Sequence, residues 1–399
     1  MVSSTSQQYK IIPQRKPPYL YPWSGPIPVQ SVRGKPREMG LQIGRHNKEL
    51  ISKTVRETWG FLEEVLKLTK EEISEDLDQY EKKIKGCHYS FASEMEGVAD
   101  GADVGYNDIV LLNSHINILS MRGGERGLPA LLCSSFAAWG SATLDGSLVL
   151  GHNDDGIRFT DQFLILLDAR PEEGRHFCSP VIPGYLGYHT VVNDAGLCVV
   201  GNALENGPKP EESRVSVPMW TIFRYLAQFV DSVESAIDFI RKVDNGIAGS
   251  FLIAEKSRKA VIVHRTPNHI AIVHPDAGKS YLALTNHALD EEIRRHLVER
   301  PKPSNTYYRH ESIVKAIEKH LGKIDADRAM EIMSTHYDSS VGRENPSGNT
   351  PCRHYEYEGK FAGTCRSAVV NFSQESAKVF VTLGNPCTGS WVELDLDYA

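Results

Sequence analysis

Cys133 is the residue whose position most directly suggests chemistry. It opens a run of small and apolar residues, 133–140, and an Asp145-Gly146 dipeptide separates this run from a second one that ends at Asp155. Apolar runs on either side of Asp-Gly predict two strands joined by a hairpin. A thiol at the start of one strand then lies near polar groups at the end of the next, which suits a nucleophile. By spacing alone, however, a lone cysteine in a strand is more often a small buried hydrophobe.

The composition narrows the classes of function. Hydrophobic residues make up 41% and charged residues 24% of the 399 residues, which predicts a globular chain with a sizeable core. The net charge is −7 and basic residues are not clustered, so no nucleic-acid partner is expected. No apolar run reaches the length of a membrane span. Neither a secretory signal nor a C-terminal address signal is recognisable, and we expect an intracellular, cytoplasmic protein.

The cysteines point to neither a metal nor a disulfide framework. There are seven, an odd number, at Cys87, Cys133, Cys178, Cys198, Cys352, Cys365 and Cys387. No Cys-x-x-Cys pair exists among them, so the spacing predicts no zinc site. We expect a reducing compartment and no metal or organic cofactor.

The pattern along the chain changes near residue 133. Residues 1–35 are rich in proline and predict an irregular arm. From 36 to about 120, apolar residues recur at three- and four-residue spacing, which predicts helices. A glycine-rich stretch, 121–131, is typical of a linker. From 133 to 399 the pattern predicts strands, then two helices, then strands again, which fits an α+β fold with two packed sheets flanked by helices.

Five stretches of the chain, in order, carry a resemblance to a known family. They are 36–44, the run that begins at Cys133, 193–197, 284–287, and 352–354 together with 364–367. They resemble the isopenicillin N acyltransferase-like family of cysteine N-terminal-nucleophile (Ntn) hydrolases, which also includes β-alanyl-dopamine hydrolase-type amidases. The resemblance implies a four-layer αββα sandwich with a helical N-terminal segment. It further implies a precursor that cuts itself between Leu132 and Cys133 into a pro-segment, 36–132, and a catalytic subunit, 133–399, which remain together as a heterodimer.

Such a cut would supply both the nucleophile and its base. The sulfur of Cys133 would attack the carbonyl of Leu132, and hydrolysis of the thioester would free the α-amino group of Cys133. An α-amine has a pKa of about 7.7–8.0, which is near the working pH of a general base. The family usually has glycine before the nucleophile, and leucine tolerates strained backbone angles less well. The sequence at Leu132 therefore favours slow processing.

The resemblance also assigns roles to individual residues. Asp155 is expected to face the new amine, and Asn286 to supply an amide donor to the oxyanion hole. Arg366 would pair with Asp155 or with a carboxylate of the substrate. Asn202 resembles a second residue that supports the oxyanion. Weaker matches suggest that His152, Ser250 and Arg353 contribute to substrate binding, and His152 stands where related amide hydrolases often have arginine.

Three functions are compatible with the sequence. The first is a self-processing amidohydrolase or N-acyltransferase that acts on small N-acyl amides or amino-acid conjugates through an acyl-enzyme on Cys133, with acyl-CoA as a conceivable donor. The second is an unprocessed, non-catalytic homologue that serves as a binding or scaffold protein, which Leu132 and His152 favour. The third is a thiol hydrolase that uses Cys, His and Asn without processing.

Overall fold

The N-terminal part of the chain is helical, as its apolar spacing predicts. The computed structural model describes residues 10–12, 26–122, 132–157, 164–205, 207–299, 304–357 and 360–399. The first five helices are α1 (Pro36–His46), α2 (Lys48–Leu66), α3 (Lys70–Cys87), α4 (Tyr89–Ala102) and α5 (Tyr106–Arg122). Helix α3 begins at a capping box, in which Thr69 Oγ1 accepts from the N–H of Glu72 and the Glu72 carboxylate accepts from the N–H of Thr69.

Helices α1 and α4 cross at close range because each presents two glycines to the other. A Cβ atom on Gly40 would lie 2.0 Å from the carbonyl oxygen of Glu94, and one on Gly97 would lie 2.2 Å from that of Arg37. Real side chains are not found at such distances from backbone atoms. The absence of a side chain at these positions therefore allows the two backbones to touch.

Two eight-stranded sheets form the centre of the molecule. Sheet I contains β1 (Lys10–Ile12), β3 (Leu132–Ala138), β4 (Val149–Ile157), β12 (Tyr281–Leu284), β15 (His354–Tyr357), β16 (Lys360–Phe372), β17 (Ser376–Leu383) and β18 (Trp391–Asp397). Sheet II contains β2 (Val29–Gly34), β5 (Ile165–Pro171), β6 (Phe177–Val181), β7 (Thr190–Asn193), β8 (Leu197–Ala203), β9 (Gly249–Glu255), β10 (Lys259–Arg265) and β11 (Ile270–Val273). A separate two-stranded ribbon pairs β13 (Tyr337–Asp338) with β14 (Arg343–Glu344).

Helices cover the outer face of each sheet. The remaining helices are α6 (Met219–Phe229), α7 (Val233–Lys242), α8 (Glu291–Arg295), α9 (Asn305–Lys319) and α10 (Ala326–Met333). Helices α6 and α7 contact sheet II, and α9 and α10 contact sheet I. One apolar core fills the space between the sheets, and a second packs Phe136 and Val369 of sheet I against Ile313 and Ile332. The fold is therefore α+β with four layers in the order αββα, which confirms the expected class.

Several elements differ from the sequence expectation. The described part of the arm 1–35 includes two strands: β1 pairs with β18, and β2 pairs in parallel with β5. Strands β6, β13, β14, β15 and β18 were not predicted. Residues 123–131 of the expected linker lie outside the described residues, and 121–122 end α5. Among the described helices, none combines the length and apolar character needed to cross a membrane.

Candidate active site

The hairpin of β3 and β4 places its polar side chains on two different faces. Cys133 pairs with Asp154, and Leu132 pairs with Asp155. Because neighbouring side chains on a strand point to opposite faces, Cys133 and Asp154 face sheet II, whereas Leu132 and Asp155 face the helix layer of α9 and α10. The core contacts agree, since Ala137 belongs to the core between the sheets and Phe136 to the core under these helices.

The sulfur of Cys133 lies beside the buried carboxylate of Asp154, which also contacts Arg366 and His189. Cys133 Sγ is 3.6 Å from Asp154 Oδ1. The other oxygen of Asp154 forms an ion pair with Arg366 and lies 3.2 Å from His189 Nδ1. The guanidinium of Arg366 lies over the ring of Tyr188, 3.7 Å from its centroid, in a cation–π contact. Its Nε and Nη1 groups are buried and have no hydrogen-bond partner among the described residues.

The nitrogen of Cys133 is held separately, by Asn286 at the end of β12. The N–H of Cys133 donates to Asn286 Oδ1 at 2.9 Å. Arg309, on α9, donates to the same oxygen at 2.6 Å and to the carbonyl oxygen of Cys133 at 2.7 Å. Asn286 Nδ2 donates to the carbonyl oxygen of Ala203 at 2.8 Å. Asn286 therefore holds the nitrogen of Cys133 through its oxygen, and its expected role as an oxyanion donor stays a prediction.

Asp155 pairs with Leu132 in the strand register and lies on the face towards α9 and α10. Its Oδ1 accepts a hydrogen bond from Thr364 Oγ1 at 2.7 Å. Burial raises the pKa of Asp155 above its usual range, while the nearby charges of Arg309 and Arg353 act in the opposite direction. Arg366 pairs with Asp154 rather than with Asp155, which was one of the two partners expected for it.

The intact chain keeps the thiol protonated. Burial and, to a smaller extent, the negative charge of Asp155 raise the pKa of Cys133 to about 12, against the lowering effects of the Ala203 backbone, Arg366 and Arg309. The thiolate is the attacking species of cysteine chemistry. A buried Cys133 therefore has little nucleophilic character at neutral pH until a base or a structural change removes its proton.

Three of the weaker candidates lie between or within the sheets. His152 Nδ1 is 2.7 Å from Thr190 Oγ1 on sheet II, and burial lowers the pKa of His152 well below its usual value, so the ring is neutral. Asn202 Oδ1 accepts from Ser135 Oγ at 2.7 Å, and Ser135 lies two residues after Cys133. Ser250 Oγ is 2.7 Å from His264 Nδ1, one strand further from Cys133. Of these residues, Asn202 is the one held against the strand that carries Cys133.

Arg353 was expected near substrate, and its backbone N–H donates to Thr364 Oγ1 at 3.0 Å. It therefore lies beside the hydroxyl that contacts Asp155, and its charge acts on that carboxylate.

Asp154, His189 and Arg309 were not among the residues predicted from the sequence to lie at the site. The Asp154-Asp155 dipeptide offered a signal, because alternation along a strand requires that one of the two share the face of Cys133. His189 and Arg309 are brought in by distant elements, and nothing in their local sequence distinguishes them.

Known proteins resemble parts of this chain in sequence or in fold. An uncharacterized protein of Archaeoglobus fulgidus is 21% identical over 374 residues, and the match covers 81% of this chain and 60% of that protein. The chain thus spans less than two thirds of the length of this relative. Among solved structures, a Caenorhabditis elegans N-acylethanolamine-hydrolyzing acid amidase ortholog matches with a TM-score of 0.42 and 17% identity, over 59% of this chain and 92% of that one. A mutant conjugated bile acid hydrolase of Clostridium perfringens matches with a TM-score of 0.38 and 12% identity, over 67% of this chain and 97% of that one.

A family match covers more than half of the chain. The sequence model described as acyl-coenzyme A:6-aminopenicillanic acid acyl-transferase matches residues 142–351. This range includes Asp155, Asn202 and Asn286, and it begins nine residues after Cys133. The chain therefore belongs to the acyl-coenzyme A:6-aminopenicillanic acid acyl-transferase family.

Proposed function

We propose that this protein is a self-processing cysteine Ntn enzyme that cleaves or transfers the acyl group of small N-acyl amides. Its family supports a hydrolase or acyltransferase of Ntn type. One observation carries the proposal for this chain. The sulfur of Cys133 lies beside Asp154, and its nitrogen is separately held by Asn286, so both atoms that an Ntn nucleophile uses are fixed in place.

Processing begins with attack of Cys133 Sγ on the carbonyl carbon of Leu132. The S–C bond forms as the C–N bond breaks, and the thiol proton is transferred to the departing nitrogen. Water then hydrolyses the thioester, which leaves a carboxylate on Leu132 and a free thiol and α-amine on Cys133. Asp155 pairs with Leu132 in the strand register, which supports a role for its carboxylate beside the new amine.

Turnover uses the groups that processing exposes. The α-amine of Cys133 takes the thiol proton, and the thiolate attacks the amide carbonyl of the substrate. The amine then protonates the leaving nitrogen, and the acyl group remains on sulfur until water or a second amine accepts it. The buried Nε and Nη1 of Arg366, which lack partners among the described residues, are the donors best placed to bind an oxygen of the substrate.

Contacts between the two expected fragments support an associated heterodimer. Arg224, on α6, forms a buried bidentate ion pair with Glu94, on α4. Asn117 Oδ1, on α5, accepts from the N–H of Met219 at 3.0 Å. Strand β2 also completes sheet II by pairing with β5. These contacts involve residues on both sides of the proposed cut, so we expect fragments 1–132 and 133–399 to copurify.

Intact-mass analysis of the purified protein tests the proposal. The wild type is expected to give two masses, those of 1–132 and 133–399, and Cys133→Ala a single mass for 399 residues. Cys198→Ala removes another fully buried thiol and should still be cut. Turnover of a panel of small N-acyl amides, with and without an added amine acceptor, then distinguishes hydrolysis from transfer.

A wild type that stays uncut after prolonged incubation would contradict the proposal and would favour the non-catalytic alternative. Cleavage of Cys133→Ala at the same bond would show that another residue or a contaminating protease makes the cut.

A further inference from the structure

A second group of cysteine and histidine side chains lies outside the proposed active site. Its members are His336, Cys352, His354 and Cys387, and one ligand atom of each lies within 4.8 Å of the others. We refer to these four residues as the Cys2His2 cluster. They come from three segments: the turn after α10, the approach to β15, and the connection between β17 and β18.

Four of the six distances between the ligand atoms fit a tetrahedron. The two sulfurs are 3.6 Å apart, and the two Nε2 atoms are 3.1 Å apart. His354 Nε2 is 3.5 Å from Cys352 Sγ and 3.2 Å from Cys387 Sγ. Zinc bonds of about 2.3 Å to sulfur and about 2.0–2.1 Å to nitrogen give tetrahedral edges of about 3.8 Å for S–S, 3.6 Å for S–N and 3.3 Å for N–N. Each of these four distances is within about 0.4 Å of the corresponding value.

The elements of the four ligand atoms indicate which metal ion the cluster would bind. Two sulfurs and two imidazole nitrogens in tetrahedral arrangement are typical of Zn²⁺, whereas Mg²⁺ and Ca²⁺ prefer oxygen ligands. All four positions are taken by protein atoms, which is the pattern of a structural site rather than a catalytic one. Two Nε2 atoms that face each other at 3.1 Å cannot both carry a proton, so at least one of them presents a lone pair, which is what a metal ion binds.

We propose that the Cys2His2 cluster binds one structural Zn²⁺ ion. Binding releases one proton from each of the two thiols, because zinc binds cysteine as thiolate. Neighbouring groups hold the ligands in position: Asn385 Nδ2 donates to the carbonyl oxygen of Arg353 at 2.7 Å, and Thr350 Oγ1 donates to that of Cys352 at 2.7 Å.

The ion would stabilise the segment 351–353, which contacts residues of the proposed active site. The carbonyl oxygen of Pro351, next to Cys352, accepts from Asn153 Nδ2 at 3.0 Å. The N–H of Arg353 donates to Thr364 Oγ1, which in turn contacts Asp155. Loss of zinc should therefore loosen the surroundings of Asp155 and lower thermal stability, although the ion takes no part in the reaction.

Metal analysis of the full-length protein tests this inference. The protein is expressed without a histidine tag in zinc-supplemented medium, and its metals are counted by mass spectrometry. We expect about one zinc ion per chain. Replacement of zinc by Co²⁺ should give the visible bands of tetrahedral cobalt and a thiolate-to-cobalt charge-transfer band. The spectrum is read on the wild type and does not depend on the folding of any variant.

Matched variants locate the ion. Cys387→Ser and His336→Ala should lose the zinc and the cobalt spectrum, whereas Cys87→Ser, a half-buried cysteine outside the cluster, should keep both. Wild-type protein without zinc and without a cobalt spectrum would overturn the proposal. So would a disulfide between Cys352 and Cys387, seen as two missing thiols under denaturing conditions, and stoichiometric iron or copper would overturn the choice of ion.

Discussion

Two clusters among the described residues contain a cysteine and a histidine, and they are suited to different chemistry. In the first, Asp154 lies between Cys133 and His189 and forms an ion pair with Arg366. In the Cys2His2 cluster, by contrast, sulfur and nitrogen atoms contact one another directly. Both clusters therefore contain cysteine and histidine, and they differ in the side chain that lies next to the thiol.

The guanidinium of Arg366 makes the cluster around Cys133 less suited to a cation than the Cys2His2 cluster. Arg366 neutralises Asp154 and places a permanent positive charge next to Cys133, which disfavours a metal ion and favours an anion or a polarised oxygen. Cys133 is also linked through its backbone nitrogen to Asn286, a contact that a metal ligand does not need. A thiol set among charges and held at its nitrogen is suited to reaction, and a pair of thiols facing two imidazoles is suited to coordination.

The largest expected effect comes from replacing one cysteine in each cluster. Each variant should lose the property of its own cluster, turnover or zinc binding, and keep that of the other. Cys133→Ala should lower turnover by at least about 10⁴-fold, because the covalent route disappears, and should leave the zinc content unchanged. Cys352→Ala should lose zinc and retain selective alkylation of Cys133 by iodoacetamide. Metal content and peptide-mapped alkylation are measured on both variants. Loss of zinc in Cys133→Ala would mean that the two groups are not separate sites.

Asn286→Ala is expected to have the next largest effect. It removes both the oxygen that holds the nitrogen of Cys133 and the amide donor, and should lower turnover by about 10²–10³-fold. Asn286→Asp keeps the oxygen and loses the donor, so it separates the two roles. Steady-state rates and the extent of cleavage are compared with those of Asn193→Ala, a buried asparagine that binds the carbonyl oxygens of Ala227 and Val230. Equal rates for wild type and Asn286→Ala would remove this residue from the site.

Arg366→Lys tests whether the guanidinium fork matters beyond its charge. Lysine retains a cation near Asp154 but loses the planar set of donors, including the buried Nε and Nη1. The loss of one charge-assisted hydrogen bond, about 1.5–3 kcal/mol, corresponds to a fall in kcat/KM of about 10- to 100-fold. Thermal unfolding of the same variant shows whether the fold is intact. An unchanged kcat/KM would mean that Arg366 supplies charge alone.

The fold could be predicted where it depends on local patterns. Helices α2 and α5 follow from apolar spacing, and the β3–β4 hairpin follows from its Asp-Gly turn, at which Gly146 adopts a φ of +76°. Strand β2 was missed because its partner, β5, lies more than 130 residues further along the chain. Local propensity carries no information about such a partner, and a short strand at a sheet edge looks like an irregular arm.

The site could be predicted only along the strands that carry it. Cys133, Asp155 and Asn286 follow from motifs that the sequence shows in order. Arg309 contacts both Cys133 and Asn286, but it reaches them from α9, and its place depends on how that helix packs. The Cys2His2 cluster was missed for the same reason: the spacing from His336 to Cys387 matches no short zinc motif, and the absence of a Cys-x-x-Cys pair led to the expectation of no metal.

The pH dependence of processing should also distinguish the Cys133 thiol from the thiols of the Cys2His2 cluster. Burial raises the pKa of Cys133 to about 12 in the intact chain, so the thiol is almost fully protonated at neutral pH. Below that pKa the thiolate fraction rises about tenfold for each unit of pH. Attack on Leu132 should therefore accelerate about tenfold per unit between pH 7 and pH 10, whereas thiols bound to zinc are already deprotonated over that range.

Chains made by cell-free synthesis can be followed during this reaction. Freshly synthesised protein is transferred to buffers of different pH, and the ratio of intact chain to the 133–399 fragment is read by mass. Asp155→Asn serves as the comparison, because it removes a negative charge that raises the pKa of Cys133. Its thiol should lose its proton at lower pH, even though the new amine would lack its carboxylate partner. A cleavage rate that does not change with pH would mean that removal of the thiol proton does not limit processing, and the difference in thiol acidity between the two groups would then have no kinetic consequence.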